Sequence, residues 1–196
     1  MPTAYIGLGA NVAGPAGTPE AALAAAAERL GSLGRVVARS SLYSTEPVGF
    51  AEQPRFLNAV VALETHLAPR ALLAALLDLE LEFGRDRAQG FANGPRTLDL
   101  DILLFGDLVL SEHELNIPHP RLGERAFVLV PLCEIAPELR EPRSGATVGE
   151  LLDTLVSDLQ GPAHAVVQME SNLWRATGAG SVDGIADGAV VYPDHG

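Results

Sequence analysis

The chain of 196 residues contains no lysine; all 13 of its basic residues are arginine. That absence removes several mechanisms. A Walker A loop needs the lysine of G-x-x-x-x-G-K, a protein kinase needs a strand lysine, and Schiff-base chemistry needs an amine. Cysteine is nearly as scarce: Cys133 stands alone, which excludes an intrachain disulfide and a zinc site built from several thiolates. Aromatic residues make up 5% of the chain and acids outnumber bases 25 to 13, for a net charge of −12. A general nucleic-acid binder, with its basic surface and stacking aromatics, is therefore disfavoured. No stretch reaches the ~18 uncharged apolar residues of a membrane span. The N-terminus also lacks the basic region and apolar run of a secretory signal. A cytoplasmic protein with no membrane partner is the expectation.

What is present is a foldable composition, 47% hydrophobic and 19% charged, in a length that suits one domain with an appendage. Thr3–Ala10 reads as a short buried strand. Thr18 and Pro19 read as an N-cap and first helical residue ahead of an alanine-rich helix to Leu30, stopped by Gly31 and Gly34. Arg35–Ser44 alternates as one strand, Asn58–Thr65 as another, and Pro69 opens a helix through Phe83 with Leu72, Leu73, Leu76 and Leu77 as its apolar stripe. Thr97–Phe105 is a further strand, and Glu124–Pro137 and Val148–Leu159 are helix candidates. Two Gly/Pro-marked loops, Glu46–Arg55 and Gly84–Pro95, separate these elements. The order strand–helix–strand, strand–helix–strand suits an α+β, ferredoxin-like sandwich, an antiparallel sheet with helices packed on it. An open α/β sheet is the alternative that the pattern leaves.

The sharpest motif is Pro95-Arg96-Thr97-Leu98-Asp99-Leu100-Asp101-Ile102. In a strand, residues two apart share a face, so Asp99 and Asp101 project together, ~6.6 Å apart along the strand. Leu98, Leu100, Ile102 and Leu104 point the other way, into the core. Two carboxylates side by side invite a cation, and Mg²⁺, which takes one or two carboxylates and completes its shell with water and phosphate oxygens, suits them. A pair of ions ~3.5–4 Å apart would fit the spacing. Taken alone, the same pattern describes a solvated strand face. Arg96 precedes the acids, and Arg85 and Arg87 lie in the preceding loop, so cations and a metal site together describe a polyphosphate clamp. Loop salt bridges are the other use of Arg85 and Arg87. A second cluster, Ile117-Pro118-His119-Pro120-Arg121 through Arg125 and Phe127, holds a histidine between two prolines and beside arginines. It reads either as a phosphate-contacting segment or as a turn with a surface histidine. Gly7-Leu8-Gly9-Ala10-Asn11 is half a dinucleotide fingerprint, but Val12 follows and the third glycine is missing, so a tight strand end is the better reading.

Together, Tyr5–Asn11, Ser40–Asn58, Gly84–Arg87, Gly94–Phe105 (GPRTLDLDILLF) and Ile117–Phe127 followed by Pro131-Leu132 resemble, in order, the 6-hydroxymethyl-7,8-dihydropterin pyrophosphokinases of folate biosynthesis. The resemblance spans roughly residues 3–140. It implies a ferredoxin-like core and transfer of the β,γ-diphosphate of ATP to the pterin hydroxymethyl oxygen, leaving AMP. It also implies two Mg²⁺ ions on Asp99 and Asp101, with Arg85, Arg96, Asp99 and Asp101 as the catalytic set. ATP would meet Glu80, Arg85, Arg87, Arg96, Ile102, His119 and Arg125. The pterin would meet Thr45, Val48, Phe56, Asn58 and Phe127, its ring between the two phenylalanines; without the resemblance these two read as ordinary core. Partners would be the two small-molecule substrates, with no nucleic acid, and the chain would act as a monomer. Residues 1–160 would form the pyrophosphokinase domain and 161–196 a Gly-rich, partly disordered tail, with an edge strand near Val166–Met169 as the exception. The chain departs from the family pattern at Ala92-Asn93, where an arginine often followed by tryptophan is common, and at Glu46, where a second proline is common. An inactive pterin- or nucleotide-binding relative, or a ferredoxin-like ligand-binding module, is the alternative.

Overall fold

The computed structural model describes residues 1–47, 52–85, 94–158 and 166–176. The first strand, β1 (Thr3–Ala10), puts Ala4, Ile6, Leu8 and Ala10 in a sealed core and turns Tyr5, Gly7 and Gly9 to the opposite face. It runs antiparallel to β4 (Phe56–Glu64) on one side and β5 (Asp99–Phe105) on the other. β2 (Arg35–Arg39) and β3 (Leu42–Thr45) both pair with β4. With β8 (Val167–Met169), the sheet order is β5-β1-β4-β3-β8, with β2 on β4, and every strand pairing in it is antiparallel.

Helices cover both faces. The N-cap expected at Thr18 is present: its Oγ1 accepts the Ala21 N–H at 3.2 Å, and Pro19 opens α1 (Pro19–Leu30). α1 buries four alanines with Leu23 and Leu30, small side chains that let the helix lie close to the strands. α2 (Pro69–Glu82) adds Leu72, Leu76 and Leu79 to the same core. On the other face α3 (Ala126–Ile135) and α4 (Val148–Asp158) pack Leu129, Leu132, Val148 and Leu152 against Tyr43, Val60 and Leu103. A two-stranded ribbon, β6 (Leu110–Ser111) and β7 (Asn116–Ile117), leads back to β5, where the His119 N–H donates to the Leu103 carbonyl at 2.9 Å.

Three readings of the sequence need correction. Arg35–Ser44 is two strands, not one. The Ser41 N–H leaves the ladder for the Glu134 carboxylate of α3 at 2.8 Å, and the Ser40 hydroxyl accepts the Val60 N–H at 2.9 Å in place of a backbone carbonyl. Strict alternation along β5 also fails at its end. A register shift at Tyr5/Ile6 admits an extra residue, so Leu103 and Leu104 both face the α3 side, and Leu104 is not on the face of Leu100 and Ile102. Such a bulge is how a strand re-aims its side chains. Finally, the alternative of an open α/β sheet does not hold, because the sheet is antiparallel.

The segment beyond residue 165 does more than add the expected edge strand. β8 (Val167–Met169) pairs with β3, and α5 (Asn172–Ala176) follows. Trp174, 5% exposed, joins the α1 core; its indole N–H donates to the Ser40 carbonyl at 2.8 Å and the Arg39 guanidinium lies 3.8 Å from its ring centre. No helix among the described residues is long and apolar enough to cross a membrane. Replacing a buried tryptophan by alanine costs about 3–5 kcal/mol, so Trp174→Ala should lower the urea midpoint by that equivalent. An unchanged midpoint would mean that this segment is only loosely attached.

Candidate active site

The site grows out of the β1–β5 register. Asp99 lies opposite Gly9 and Asp101 opposite Gly7, so both carboxylates rise from the α3 face of the sheet beside strand positions that carry no side chain. A Cβ at Gly9 would come within 3.3 Å of Asn58 Oδ1, and one at Gly7 within 3.3 Å of Leu103. The glycines keep the floor open. Over it lies a cleft open to solvent, lined by Thr45, Phe56, Asn58, Arg96, Asp99, Asp101, Arg125 and Phe127 among others. Eight of the residues singled out from sequence therefore meet in one place.

Asp99 is the most tightly held of them. Its Oδ2 accepts from Arg96 Nη1 at 2.6 Å and its Oδ1 from Arg85 Nη1. Burial works against its charge, but Arg85 and Arg96 outweigh it and hold the carboxyl below the usual carboxylate range. Arg85 also bonds the Leu98 carbonyl at 3.2 Å and Glu80 Oε1 at 3.1 Å. Glu80, 1% exposed, sits under β5 and accepts the Leu100 N–H at 2.8 Å with the same oxygen. Arg85 links it to Asp99 and so to the cleft. Ile102, 4% exposed, is packed in the α1–α2 core, on the face away from the cleft.

The pterin-side candidates are equally ordered. Asn58 Nδ2 donates to Thr45 Oγ1 at 2.7 Å, joining β4 to β3. The Arg96 guanidinium lies 5.6 Å from the centre of the Phe56 ring, and that of Arg125 5.5 Å from Phe127, so each candidate stacking ring carries a cation over its face. Arg55 bonds Ser44 and pairs with Glu46 at the rim. His119 accepts the Arg121 N–H on Nδ1 at 3.1 Å, which leaves the neutral ring's proton on Nε2. Burial, then Arg125 and Arg121, depress its pKa to about 4. Val48, Arg87 and the Ala92-Asn93 departure lie outside the described residues. Sequence reasoning missed Gly7 and Gly9 as the floor. The signal was a G-x-G strand facing a D-x-D strand, two alternations that only pairing brings into register.

Acids and arginines gathered over an open strand floor, beside two aromatic rings, are the equipment of a transferase that handles a phosphorylated group. The profile of the 7,8-dihydro-6-hydroxymethylpterin-pyrophosphokinase (HPPK) family matches residues 5–137, and the chain belongs to this family. The 2-amino-4-hydroxy-6-hydroxymethyldihydropteridine pyrophosphokinase of Pseudomonas aeruginosa is 52% identical over 148 residues, 76% of this chain and 88% of that one. The Methylorubrum extorquens protein of the same name is 45% identical over 157 residues, covering 79% and 94%. A crystal structure of wild-type HPPK-DHPS from Plasmodium falciparum shares the fold with a TM-score of 0.62 at 16% identity, covering 80% of this chain and 45% of that one.

The depressed histidine gives a testable pH dependence. An unfolded histidine titrates near ~6.5, so between that pH and about 4 the unfolded state holds the extra proton. Stability from this residue is therefore complete above ~6.5 and lost as pH falls toward the folded value. Allowing for partial exposure, the loss is on the order of 2 kcal/mol. His119→Asn, whose Oδ1 can replace Nδ1 as acceptor, should flatten that part of the stability curve. A histidine NMR titration with a midpoint near 6.5 would contradict the assignment.

Proposed function

We propose that the protein transfers diphosphate from ATP to the hydroxymethyl oxygen of 6-hydroxymethyl-7,8-dihydropterin, releasing AMP, within folate biosynthesis. The observation that carries the reading is the convergence of two strand carboxylates, their arginine partners and two aromatic rings on one cleft. Mg²⁺ fits the acids. Among the described residues no group of three or more His, Cys, Asp or Glu gathers to hold a metal. A pair of carboxylates suits an ion that fills its remaining positions with water and phosphate oxygens. Two Mg²⁺ on Asp99 and Asp101 would supply charge neutralisation of the phosphates and a lowered pKa at the attacking alcohol.

The chain's own residues do the rest by position and charge. Arg85, Arg87, Arg96, His119 and Arg125 bind the ATP phosphates, His119 by its Nε2–H. Glu80 and Ile102 serve the nucleotide side from beneath, Glu80 by aiming Arg85. Phe56 and Phe127 take the pterin between them while Thr45, Val48 and Asn58 meet its polar edge. The alcohol oxygen bonds to the β-phosphorus as the bond from that phosphorus to the α-side bridging oxygen breaks. AMP leaves with that oxygen, and the hydroxyl proton passes to water.

The strand order β5-β1-β4-β3, with α1 and α2 on one face, supports reading the core as a ferredoxin-like sandwich. On this reading the loops Glu46–Arg55 and Gly84–Pro95 close over the site and keep water out. Residues 1–160 carry the chemistry, 166–176 brace β3, and the rest of the 161–196 segment is dispensable for turnover. The enzyme works as a cytoplasmic monomer.

A coupled assay for AMP release from ATP and the pterin tests the whole reading. Binding of both ligands without AMP release would make the protein an inactive binder instead. Asp101→Ala should abolish AMP release with the fold retained, and Asp99→Ala should abolish it at a measurable cost in stability, because it strands Arg85 and Arg96. Near-wild-type turnover in either would sink the carboxylate assignment. Phe56→Ala and Phe127→Ala should weaken the pterin more than a non-hydrolysable ATP analogue, by on the order of 1 kcal/mol beyond the lost burial. Calorimetric titration that finds equal losses for both ligands would point to general destabilisation.

A further inference from the structure

The helix that carries Phe127 meets the sheet by two kinds of contact. Leu129 and Leu132, both fully buried, press α3 onto the strands. Apolar contact of this sort is non-directional; it holds the helix down without fixing its rotation. Pro131, inside α3, has no N–H to give to the Phe127 carbonyl, so the helix ladder holds the Phe127 turn less firmly. The directional contact is Glu134, half-buried in the last turn. Its Oε1 accepts the Ser41 hydroxyl at 2.8 Å, and its Oε2 accepts the Ser41 N–H at 2.8 Å and the Tyr43 hydroxyl at 2.9 Å. Gln168 of β8 donates to the Ser41 hydroxyl oxygen at 2.9 Å, which leaves that hydroxyl's proton for Glu134.

Both ends of this strut are in step with the cleft. Glu134 follows Phe127 by seven residues, about two turns, so the two lie on one side of α3. Tyr43 and Thr45 are two apart on β3 and share a face. Opposite them on β4 stand Asn58 and Phe56 respectively. We infer that Glu134 is a positioning residue that sets the gap between Phe127 and the wall formed by Thr45, Asn58 and Phe56, and with it the fit of a flat ring. Glu134 is outside the cleft lining and acts through Phe127: the carboxylate grips the strand near one end of the helix, and the ring near the other end follows. Arg85 and Arg96 are held by Asp99 on β5, which β1 and β4 separate from β3, so their grip on phosphate does not depend on Glu134. Arg125, the residue before α3, shares the helix's rotation, so a small change on the phosphate side is expected too.

The inference rests on the proposed substrates, and its test separates the two. Pterin affinity is measured by calorimetry with a non-hydrolysable ATP analogue saturating, for wild type, Glu134→Ala, Phe127→Ala and the double variant; analogue affinity is measured alongside. Glu134→Ala should weaken pterin by about three- to tenfold, the scale of a stacking contact, and the analogue by less than about twofold. In the Phe127→Ala background the same substitution should change pterin affinity by less than about twofold, because residues acting as one unit are not additive. Glu134→Gln, which keeps an acceptor for the Ser41 N–H and the Tyr43 hydroxyl, should return pterin affinity to within about twofold of wild type. Equal losses for the two ligands, or losses that add in the double variant, would mean a merely structural role and overturn the inference. So would a glutamine variant as weak as the alanine one. If Glu134→Ala does not fold, Tyr43→Phe, which removes one of the three bonds and keeps the ring's packing, carries the same cycle, with a smaller loss of pterin affinity expected and none overturning it. Wild type and Glu134→Ala that bind pterin equally overturn the positioning role alone. Wild type that binds no pterin overturns the substrate assignment, and the positioning role with it.

Discussion

Asp99 sits between two guanidiniums, and the cleft depends on that arrangement. A carboxylate taken from water without a partner costs several kcal/mol, whereas two unit charges near 4 Å attract by about 4 kcal/mol at the effective dielectric of a protein surface. Arg85 and Arg96 together therefore make the charged form of Asp99 the favoured one at this depth. Arg85 in turn pairs with Glu80, a buried acid that also accepts the Leu100 N–H. The chain of ion pairs runs from under β5 to its upper face. It ties α2, β5 and the Arg96 segment into one rigid edge before any ligand arrives.

That edge was largely legible in the residues because its signals are short-range. Alternation along Leu98–Ile102 needs only the period of a strand, and the density of Arg and Asp around it needs only counting. Thr18-Pro19 announces its helix by local chemistry alone. What stayed hidden depends on partners far away in sequence. The break at Ser40-Ser41 exists because Glu134, 93 residues on from Ser41, takes the Ser41 N–H. Leu104 changes face because β1 and β5 slip register. Trp174 has no periodic run around it, and the α1 core, the Arg39 guanidinium and the Ser40 carbonyl give it its place. Glu80 is instructive in the other direction. It is an acid buried near the end of a leucine-rich helix, and its reason is a backbone amide on a strand 20 residues later.

Side chains of the cleft hold one another, so binding is an exchange. Arg96 and Arg125 rest on Phe56 and Phe127, contacts worth about 0.5–1 kcal/mol at partly exposed sites. A phosphate oxygen offers each guanidinium a charge-assisted hydrogen bond worth about 1.5–3 kcal/mol, and the freed ring faces can then stack on a flat heterocycle. The direction of the exchange is set by these unequal magnitudes. The same locality explains how a protein of net charge −12 can hold a polyanion. At physiological ionic strength the screening length is about 8 Å, so acids scattered over the far surface count for little inside the cleft. Among the described residues Arg85, Arg96 and Arg125 gather around Asp99 and Asp101, with Glu80 paired to Arg85 beneath them, so the cleft is locally far less acidic than the chain as a whole. Neutralising those carboxylates with a divalent ion would release the arginines' charge toward the phosphates. On the proposed reading, metal and nucleotide would therefore be most favourable together, the ion offsetting the carboxylates and the phosphates offsetting the ion and the arginines.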